Sequence, residues 1–334
     1  MSSSTLKDIA KALNLSVSSV SRALRDSYEI SPETKAKVLA YANSVNYRPN
    51  PVALSLKENK SHSICVIVPE ISNNFFSEVI NGIESVAIER GYHVMIFQTH
   101  EKYEREQANL EHGLARRVDG IIMSLSGNTT DFEHLKKFEQ EKIPVVFFDR
   151  VPTMDNFHKV VADNFEGAYN GTKYLISKGK RKIAHITSPP MLSITKERLA
   201  GYKACLADFG IEYDENLVKY CGFESQDAQK AIENIIFEHQ PDSFFLGSDR
   251  LALYALEVIK KNKKYLAEHI EIVGFTNIKS ANLLAPVLNT IRQPAFEMGE
   301  KAASLLINTI EAKNKVLPFQ KIVLKTELII RDLG

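Results

Sequence analysis

The chain has 334 residues, too many for one small hydrophobic core, and its 44% hydrophobic and 25% charged residues are ordinary for a globular protein. Its three cysteines, Cys65, Cys205 and Cys221, form no CxxC pair, which argues against a disulfide framework and a thiolate zinc site. The sequence shows neither the apolar core of a signal peptide nor an uninterrupted apolar stretch of about 18 residues. We therefore expect a cytoplasmic protein without a membrane anchor.

The charge is unevenly distributed, although the net charge is only +1. Residues 1–60 carry nine Lys or Arg against five Asp or Glu, a net charge of +4, which leaves −3 for the remainder. A basic N-terminal segment favours a polyanionic partner, and nucleic acid is the first candidate.

The N-terminal segment begins with two short predicted helices. Apolar residues at i, i+3, i+4 and i+7 in "LKDIAKAL" predict a helix with one buried stripe, for which Thr5 is a natural N-cap. Asn14 follows where a tight turn needs a residue that tolerates a left-handed conformation. Ser16 can then cap a second helix that extends to about Arg25.

A third helix is predicted in "ISPETKAKVLAYANSVNY". Ser31 is its expected cap and Pro32 its first helical residue, while Val38, Ala42 and Val45 form its inner stripe. Three short helices of this kind, with a tight turn between the first two, predict a helix-turn-helix module over residues 1–48.

The second helix divides into an apolar and a polar face at about 100° per residue. Val20, Ala23 and Leu24 share the apolar face. The opposite face carries only small hydroxyls and arginines, with Val17 at its border: Ser18, Ser21, Arg22 and Arg25. Short side chains let a helix enter the major groove, and arginines reach guanine edges or phosphates, so this face indicates DNA reading. A plain solvated face is the alternative, but the three-helix context favours DNA.

Residues 49–61 form a linker to the larger part of the chain. Pro49 and Pro51 stop the third helix, and the following "VALSLK" could form barely two helical turns, which would be marginal alone. We expect this segment to be helical only with a partner.

Beyond residue 62, apolar runs alternate with amphipathic helical stretches in two series. The first contains "ICVIVP", "HVMIF", "DGIIMSL" and "IPVVFFD", and the second begins with "VVAD" and continues with "KIAHIT", "LVKYC", "SFFLG" and "IEIVGF". Such alternation predicts parallel sheets flanked by helices. It implies two doubly wound subdomains with a cleft between them, one over about 62–161 and 293–318 and the other over about 162–292 and 319–334.

The motifs of common enzymes are missing from the sequence. It contains no GxGxxG, P-loop, HExxH, GxSxG or CxxC motif, and its nine histidines are scattered. We therefore predict a protein that is not an enzyme and that needs no metal or other cofactor.

Several longer motifs resemble those of one family. They are "LKDIAKALNLSVSSVSRAL", "ISPETKAKVLAYANSVNYRPNPVALSL", "VIVPEISNNFFSEVINGIE", "RRVDGIIM", "IPVVFFDR", "ERLAGYKACL", "SDRLALYAL", "IVGF" and "PVLNTIRQP". Over essentially its full length the chain resembles the lactose repressor/galactose repressor (LacI/GalR) family of bacterial transcription regulators. The resemblance implies an N-terminal all-α helix-turn-helix module followed by an α/β module like a periplasmic sugar-binding protein, made of two doubly wound parallel-sheet subdomains.

The resemblance also implies roles for individual residues at the DNA. Bases would be read by Val17, Ser18 and Arg22, of which Val17 suits a thymine methyl and Ser18 can pair with several bases. Phosphate contacts are implied for Ser16, Ser19 and Ser21, and the linker resembles a hinge helix that folds when two copies meet in the minor groove. Leu56 would wedge into the central base step, although an ordinary interdomain contact is the alternative for it. The remaining members of the predicted DNA-contacting set are Thr5, Arg25, Asn50, Val52 and Ala53, of which Val52 and Ala53 would pack against the other hinge.

For the cleft, the resemblance implies a small effector. The implied set comprises two apolar walls, two carboxylates near the interdomain crossing, a guanidinium fork and three loop residues at strand ends: Phe75, Phe76, Asp149, Asp163, Arg198, Ser248, Asp249 and Thr276. For Asp163, Asp249 and Thr276, a cap or turn at a strand end is nearly as favoured an interpretation. Ser248 stands where many members have Asn, and Thr276 where many sugar binders have Asp, which argues against an ordinary monosaccharide.

Together these patterns predict a homodimeric transcription regulator that binds a duplex DNA operator and responds to a sugar or sugar derivative. A repressor of a carbohydrate-use operon is the favoured form. The alternative from another class is a solute-binding protein of a transport system, which has the same two-lobed fold. A signal peptide or lipid-anchor cysteine ahead of Ser61 would favour it, but a helix-turn-helix is predicted there.

Overall fold

The chain divides into two units, Met1–Ser61 and His62–Gly334. A computed structural model describes residues 5–47, 60–223, 225–261, 270–275, 277–278, 280–284, 288–312 and 317–331. Five of the residues predicted to contact DNA or effector therefore lie outside the described residues: Asn50, Val52, Ala53, Leu56 and Thr276. Most of the predicted linker over 49–61 lies outside them as well.

The first unit contains the three predicted helices, α1 (Leu6–Leu13), α2 (Val17–Ala23) and α3 (Pro32–Ser44). Ser16 and Ser31 cap α2 and α3 as expected, because each side chain accepts a hydrogen bond from a backbone N–H in the first turn. The second helix ends at Ala23, two residues earlier than predicted.

The start of α1 and the turn after it follow the expected local chemistry. Thr5 caps α1 in a reciprocal arrangement, in which Asp8 N–H donates to Thr5 Oγ1 at 3.3 Å and Thr5 N–H donates to Asp8 Oδ2 at 2.8 Å. Asn14 is left-handed, with φ 50° and ψ 46°, so it makes the turn that glycine often makes elsewhere.

One small core holds these three helices together. Its fully buried members come in pairs from α1, α2 and α3: Ile9, Ala10, Val20, Ala23, Val38 and Ala42. The apolar face predicted for α2 therefore points into this core. The hydroxyl and arginine face of the helix is left for solvent.

The second unit alternates strands and helices, as its hydrophobic pattern predicts. The first part contains β1 (Ser63–Val68), α4 (Asn74–Glu89), β2 (His93–Gln98), α5 (Tyr103–Ala115), β3 (Gly120–Met123), α6 (Lys136–Gln140), β4 (Val145–Phe148) and β5 (His158–Ala162). The middle part contains α7 (Asn164–Ser177), β6 (Ile183–Thr187), α8 (Ser193–Asp208), β7 (Val218–Tyr220), α9 (Ser225–His239), β8 (Ser243–Leu246) and α10 (Asp249–Lys261). The last part contains β9 (Glu271–Phe275), β10 (Asn289–Arg292), α11 (Ala295–Glu311), β11 (Lys321–Leu324) and β12 (Glu327–Ile329).

The strands form two six-stranded sheets, each in its own lobe of the unit. The first sheet has the order β11-β5-β4-β3-β1-β2, and the second has the order β12-β10-β9-β8-β6-β7. Every neighbouring pair is parallel except β10 with β12. Inner strands such as β3 and β4 are buried along their whole length, as helices on both faces of a sheet require. The predicted doubly wound α/β class is confirmed.

One expected strand assignment and one expected lobe boundary were wrong. The "VVAD" run was expected to begin the second series, but it ends β5, which pairs with β4 and β11 in the first sheet. Residues 319–334 were expected in the second lobe, yet β11 belongs to the first sheet and only β12 joins the second. The hydrophobic pattern identifies the strands but does not state which sheet supplies their hydrogen-bonding neighbours, so the crossing points shift by a whole strand.

Helices α4 and α11 pack closely behind the first sheet. A Cβ on Gly82 of α4 would overlap the backbone carbonyl oxygen of Phe296, so only glycine allows this approach. Cys65, Cys205 and Cys221 are all buried free thiols. Across the described ranges, every helix is too short or too polar to cross a bilayer.

Candidate functional site

The exposed start of α2 carries side chains that the sequence assigns to DNA. Val17 is 42% exposed at the first helical position, although it is apolar, and Ser18 beside it is exposed too. Ser16 precedes the helix as its N-cap, and its Oγ accepts a hydrogen bond from the Ser19 N–H at 3.0 Å. The helix therefore begins with a fixed, narrow surface of small side chains, which is what close approach to base edges requires.

Two arginines follow farther along the chain, Arg22 within α2 and Arg25 just beyond its end. Arg22 forms an ion pair with Glu29 at 2.8 Å, and both side chains are about half exposed. Arg25 Nε donates to the Ser21 carbonyl oxygen at 3.2 Å, and its Nη2 donates to Ser21 Oγ at 3.0 Å. Intramolecular contacts thus hold both guanidinium groups, and Ser21 is half-buried beside Arg25.

A cavity of about 60 Å³ opens in the second unit at the carboxyl ends of its strands. It is lined from both lobes by Pro69, Glu70, Asn73, Phe75, Phe76, Glu101, Asp149, Arg150, Ser188, Ile194, Arg198, Ser248, Asp249, Arg250, Phe275 and Gln293. One water molecule needs about 10–15 Å³ by this measure, so the cavity holds only a few waters. A sugar-sized ligand therefore requires the lining side chains or the two lobes to move.

The first turn of α4 supplies the apolar wall of the cavity. Asn73 caps this helix, and its Oδ1 accepts a hydrogen bond from the Phe75 N–H at 2.9 Å. The rings of Phe75 and Phe76 meet edge to face with centroids 5.2 Å apart, and Phe76 packs in the same way on Phe148 at 6.1 Å. Each ring is thereby fixed by the next.

Asp149 lies at the polar centre of the cavity. It has a left-handed backbone with φ 57°, its N–H donates to the Val160 carbonyl oxygen at 3.1 Å, and its Oδ1 accepts from Gln293 Nε2 at 3.3 Å. Burial raises the pKa of Asp149, although the guanidinium groups of Arg198 and Arg150 favour its charged form. This carboxyl is thus a buried acceptor shared among groups from different strands.

Arg198 is buried, and protein groups already use part of its hydrogen-bonding capacity. Its Nε donates to Asn164 Oδ1 at 2.9 Å, its Nη1 donates to the Gly247 carbonyl oxygen, and its guanidinium lies 4.0 Å from the ring centroid of Phe275. Burial lowers the pKa of Arg198 to about 10, while the Asp149 carboxylate acts in the opposite direction. Two of the three guanidinium nitrogens already donate to protein acceptors. Arg198 therefore has fewer donors available for a ligand than the expected two-nitrogen fork.

Glu101 links two other segments of the first lobe beside the cavity through its carboxylate. Its Oε2 accepts from Arg150 Nη1 at 2.6 Å and from the Gly127 N–H at 2.8 Å. A Cβ on Gly127 would overlap the ring of Phe223, which comes from the second lobe. The Phe223 ring also lies 5.4 Å from the Arg150 guanidinium and 4.7 Å from that of Arg250. An aromatic ring of one lobe thus lies against a glycine and an arginine of the other.

The structure brings most of the sequence-predicted effector residues together at this cavity. Those that line it are Phe75, Phe76, Asp149, Arg198, Ser248 and Asp249. Asp163 does not line it: its Oδ1 accepts from the Glu166 N–H at 3.0 Å and caps α7, the alternative interpretation for this residue. Ser248 and Asp249 also have local partners, the N–H groups of Leu251 at 3.3 Å and of Asn277 at 2.8 Å.

Sequence reasoning missed several lining residues, above all Glu101, Arg150, Arg250 and Gln293. Arg150 follows β4 directly after Asp149, and Arg250 follows β8 within the same loop and first helical turn as Ser248. The rule that parallel strands end at the binding edge could have identified both. Among the described residues, no group of three or more His, Cys, Asp or Glu could hold a metal ion.

Comparisons with known proteins match both units. Residues 5–50 match the family model described as bacterial regulatory proteins, lacI family. Residues 61–326 match the model described as periplasmic binding proteins and sugar binding domain of LacI family.

Named relatives match over nearly the whole chain. The ribose operon repressor of Halalkalibacterium halodurans is 33% identical over 98% of this chain and 96% of its own length. The HTH-type transcriptional repressor PurR of Vibrio campbellii is 30% identical over 98% of both chains. The HTH-type transcriptional repressor CytR of Escherichia coli is 30% identical over 93% of this chain and 91% of its own length.

Solved structures share the architecture. A complex of the transcriptional regulator CelR with cellobiose has a TM-score of 0.73 and 26% identity, covering 99% of this chain and 100% of that one. The lac repressor dimer bound to operator and the anti-inducer ONPF has a TM-score of 0.84, covering 99% of this chain and 98% of that one. Its identity is 22%, so that likeness bears on the fold alone.

Proposed function

The chain belongs to the LacI family of bacterial regulatory proteins, and from this premise we propose that it represses an operon for carbohydrate use. It binds operator DNA through its first unit and a small effector through its second. The observation that supports DNA binding is the capped start of α2. There Val17 is exposed and the neighbouring side chains are small hydroxyls, so the helix can approach base edges closely. Arg22 in α2 and Arg25 just after it supply the positive charge.

The effector site is the cavity between the lobes. Its lining combines an aromatic wall with carboxylate, guanidinium, amide and hydroxyl groups, a mixture suited to a small polar ligand such as a sugar or sugar derivative. Relatives named for ribose, and a similar structure with cellobiose bound, support a carbohydrate. Relatives named PurR support a purine as the second candidate.

The regulator acts as a homodimer in the cytoplasm, where its operator is. One recognition helix covers too few base pairs for a unique site, and a two-fold dimer matches a pseudo-palindromic operator. In this proposal the linker over 49–61 contributes the minor-groove contacts, with Leu56 as the wedge and Val52 and Ala53 packed between the two copies. Thr5, Asn50, Ser16, Ser19 and Ser21 hold phosphates.

A solute-binding protein is less consistent with the chain. Such a protein needs the two-lobed unit but not a capped three-helix unit with an exposed hydroxyl and arginine face. The relatives over the full length are named as repressors, which also favours regulation over catalysis.

The test is a selection of duplexes from a random library by the purified full-length protein. We expect a pseudo-palindromic consensus whose half-sites are related by two-fold symmetry, and we expect footprinting to show protection of both halves. Retention of duplexes without a shared sequence would contradict operator reading. A thermal-shift screen against sugars, sugar phosphates and nucleosides then identifies the effector class.

A further inference from the structure

We propose that the effector carries an oxyanion, either a carboxylate or a phosphate, and that Arg250 binds it. The inference rests on the proposed function, because it assigns a ligand to the cavity. Arg250 is the second residue of α10, lines the cavity and lies 4.7 Å from the ring centroid of Phe223. It carries a permanent positive charge and five donors arranged as a planar fork.

Arg250 differs from the other two arginines of the cavity, because no described residue accepts a hydrogen bond from it. Arg150 donates to Glu101, and Arg198 donates to Asn164 and Gly247. Within the described part of the chain, no hydrogen bond or ion pair reaches the Arg250 guanidinium, and its Nε is buried without a partner. The other two arginines are held by hydrogen bonds of the fold, whereas the contact described for this one is with the face of the Phe223 ring.

Three of the four carboxylates that line the cavity already have hydrogen-bond partners among the described residues. Glu101 is bonded to Arg150 and to the Gly127 N–H, Asp149 accepts from Gln293, and Asp249 accepts from the Asn277 N–H. Glu70 lines the cavity but is not within ion-pair distance of Arg250 among the described contacts. Among the described residues, no carboxylate lies within ion-pair distance of the Arg250 guanidinium, although the charges of Glu101 and Glu70 act on it at longer range.

Arg250 is half-buried and its Nε is shielded from water, so a ligand group that accepts a hydrogen bond from this nitrogen gains from binding it. Burial also lowers the pKa of Arg250, with the Glu101 carboxylate opposing that effect. A donor-only group withdrawn from water is stabilised most by a charged acceptor. A planar fork matches two oxygens of a carboxylate or phosphate, and a neutral hydroxyl offers only one.

The experiment compares matched neutral and anionic compounds on the full-length protein. The probes are D-glucose, D-glucuronate and D-glucose 6-phosphate, then D-ribose, D-ribonate and D-ribose 5-phosphate, with inorganic phosphate alone as a seventh. Binding is measured by calorimetry and by thermal shift at low and high salt. The variants are Arg250→Gln, which removes the charge, and Arg250→Lys, which keeps the charge without the fork. Arg105→Gln, at an exposed position of α5, is the matched control.

An anionic member of one series should bind more tightly than its neutral counterpart, and Arg250→Gln should weaken that binding roughly tenfold to a hundredfold. Arg250→Lys should recover part of the loss, and Arg105→Gln should lose nothing. Preference for the acid or the phosphate ester distinguishes the two sources of the anion. The unliganded thermal midpoint of each variant reports whether it is folded.

Two results overturn the proposal while leaving the proposed function intact. One is a neutral sugar that binds as tightly as its anionic partners with no effect of Arg250→Gln. The other is no binding of any anionic probe. Failure of the proposed function is seen separately, because the wild-type protein would then select no operator either without ligand or with any of the seven probes.

Discussion

At the residue scale, the two arginines at the C-terminal end of α2 are restrained differently before DNA arrives. Arg25, just beyond the helix, bonds to Ser21 within it, whereas Arg22, within the helix, pairs with Glu29 beyond its end. The Arg22–Glu29 pair is exposed, and such pairs contribute only about 0–1 kcal/mol. Glu29 therefore positions Arg22 without strongly opposing its transfer to DNA.

Arg22→Ala should weaken operator binding by about 1–3 kcal/mol and relax the preference at one base pair in each half-site. The physical reason is the loss of donors to a base edge. Fluorescence anisotropy with the operator and with single-base variants measures both effects. Lys37→Ala, which removes one exposed positive charge from α3, is the control. Equal losses on operator and random DNA would reassign Arg22 to a phosphate.

Glu29→Gln should strengthen operator binding, because it frees Arg22 and removes one negative charge from the DNA-facing unit. The gain in operator affinity is limited by the small free energy of an exposed ion pair. We therefore expect an increase of up to about fivefold at low salt and less at high salt. Glu33→Gln is the matched control, since Glu33 pairs with Lys37 within α3 instead. An equal gain from both substitutions would show a general charge effect rather than release of Arg22.

His185 should make the second lobe sensitive to acid. It is buried in β6 between the rings of Tyr202 and Phe245, its Nδ1–H donates to the Phe245 carbonyl oxygen at 3.1 Å, and burial lowers its pKa to about 4. The unfolded chain binds a proton near pH 6.5 and the folded chain does not. The free energy of unfolding should therefore fall as pH drops from about 6.5 to about 4, by on the order of 3 kcal/mol.

Urea unfolding as a function of pH, wild type against His185→Gln, measures this contribution. The variant should lose part of the slope between pH 6.5 and 4, whatever its absolute stability, whereas His93→Gln at an exposed position should keep the slope. Parallel pH curves for wild type and His185→Gln would show that another group carries the acid sensitivity.

At the scale of elements, the close approach of α4 to α11 depends on the absence of a side chain at Gly82. Gly82→Ala should destabilise the first lobe by about 1–3 kcal/mol or more, because its Cβ would overlap the Phe296 carbonyl oxygen and backbone cannot yield as a flexible side chain does. Gly113→Ala on α5 is the control, since its Cβ would meet Val118 Cγ2 at an ordinary 3.6 Å. Urea midpoints measure both, and equal midpoints would contradict the packing argument.

Local chemistry explains why the helices and strands could be predicted from the sequence. Thr5, Ser16 and Ser31 cap the helices that follow them, and Asn14 adopts the left-handed turn, because each depends only on neighbours within a few residues. Strand membership is not local. Residues of β5 and β11 look like any parallel strand, and only their pairing with each other places both in the first sheet.

The candidate site was predictable in part for the same reason. Residues directly at strand ends, such as Asp149 and Ser248, were found because the topology converges there. Glu101 was not, because it reaches the cavity through consecutive left-handed residues, His100 and Glu101, beyond β2. The acceptors bonded to Arg198 belong to Asn164 and Gly247, which are distant from it in sequence. The loss of these donors for ligand binding could therefore be seen only in the structure.

At the scale of the whole molecule, the cavity is the place where a ligand can contact both lobes at once. Phe75 and Asp149 come from the first lobe, and Arg198 and Arg250 come from the second. A ligand shifts an equilibrium between two lobe arrangements only by its difference in affinity for them. In the proposed mechanism that difference changes the separation of two linkers, and with it operator affinity.

Arg198→Ala should abolish this coupling, because Arg198 lines the proposed effector site and donates to Asn164, at the crossing from β5 into α7, and to Gly247 after β8. Its burial predicts a lower unfolding midpoint as well, so operator affinity is compared with and without ligand for each protein separately. Arg105→Gln is again the control. A full ligand response in Arg198→Ala would show that this arginine is structural and that the effector binds elsewhere.

The most direct test is the operator affinity of the full-length wild-type protein with and without a saturating concentration of the compound that stabilises it most in the thermal-shift screen. The coupling expected of an effector-controlled regulator is about 1–3 kcal/mol, or about 5- to 150-fold in operator affinity, in either direction. The same operator affinity with and without a ligand that demonstrably binds the cavity would contradict effector-controlled DNA binding.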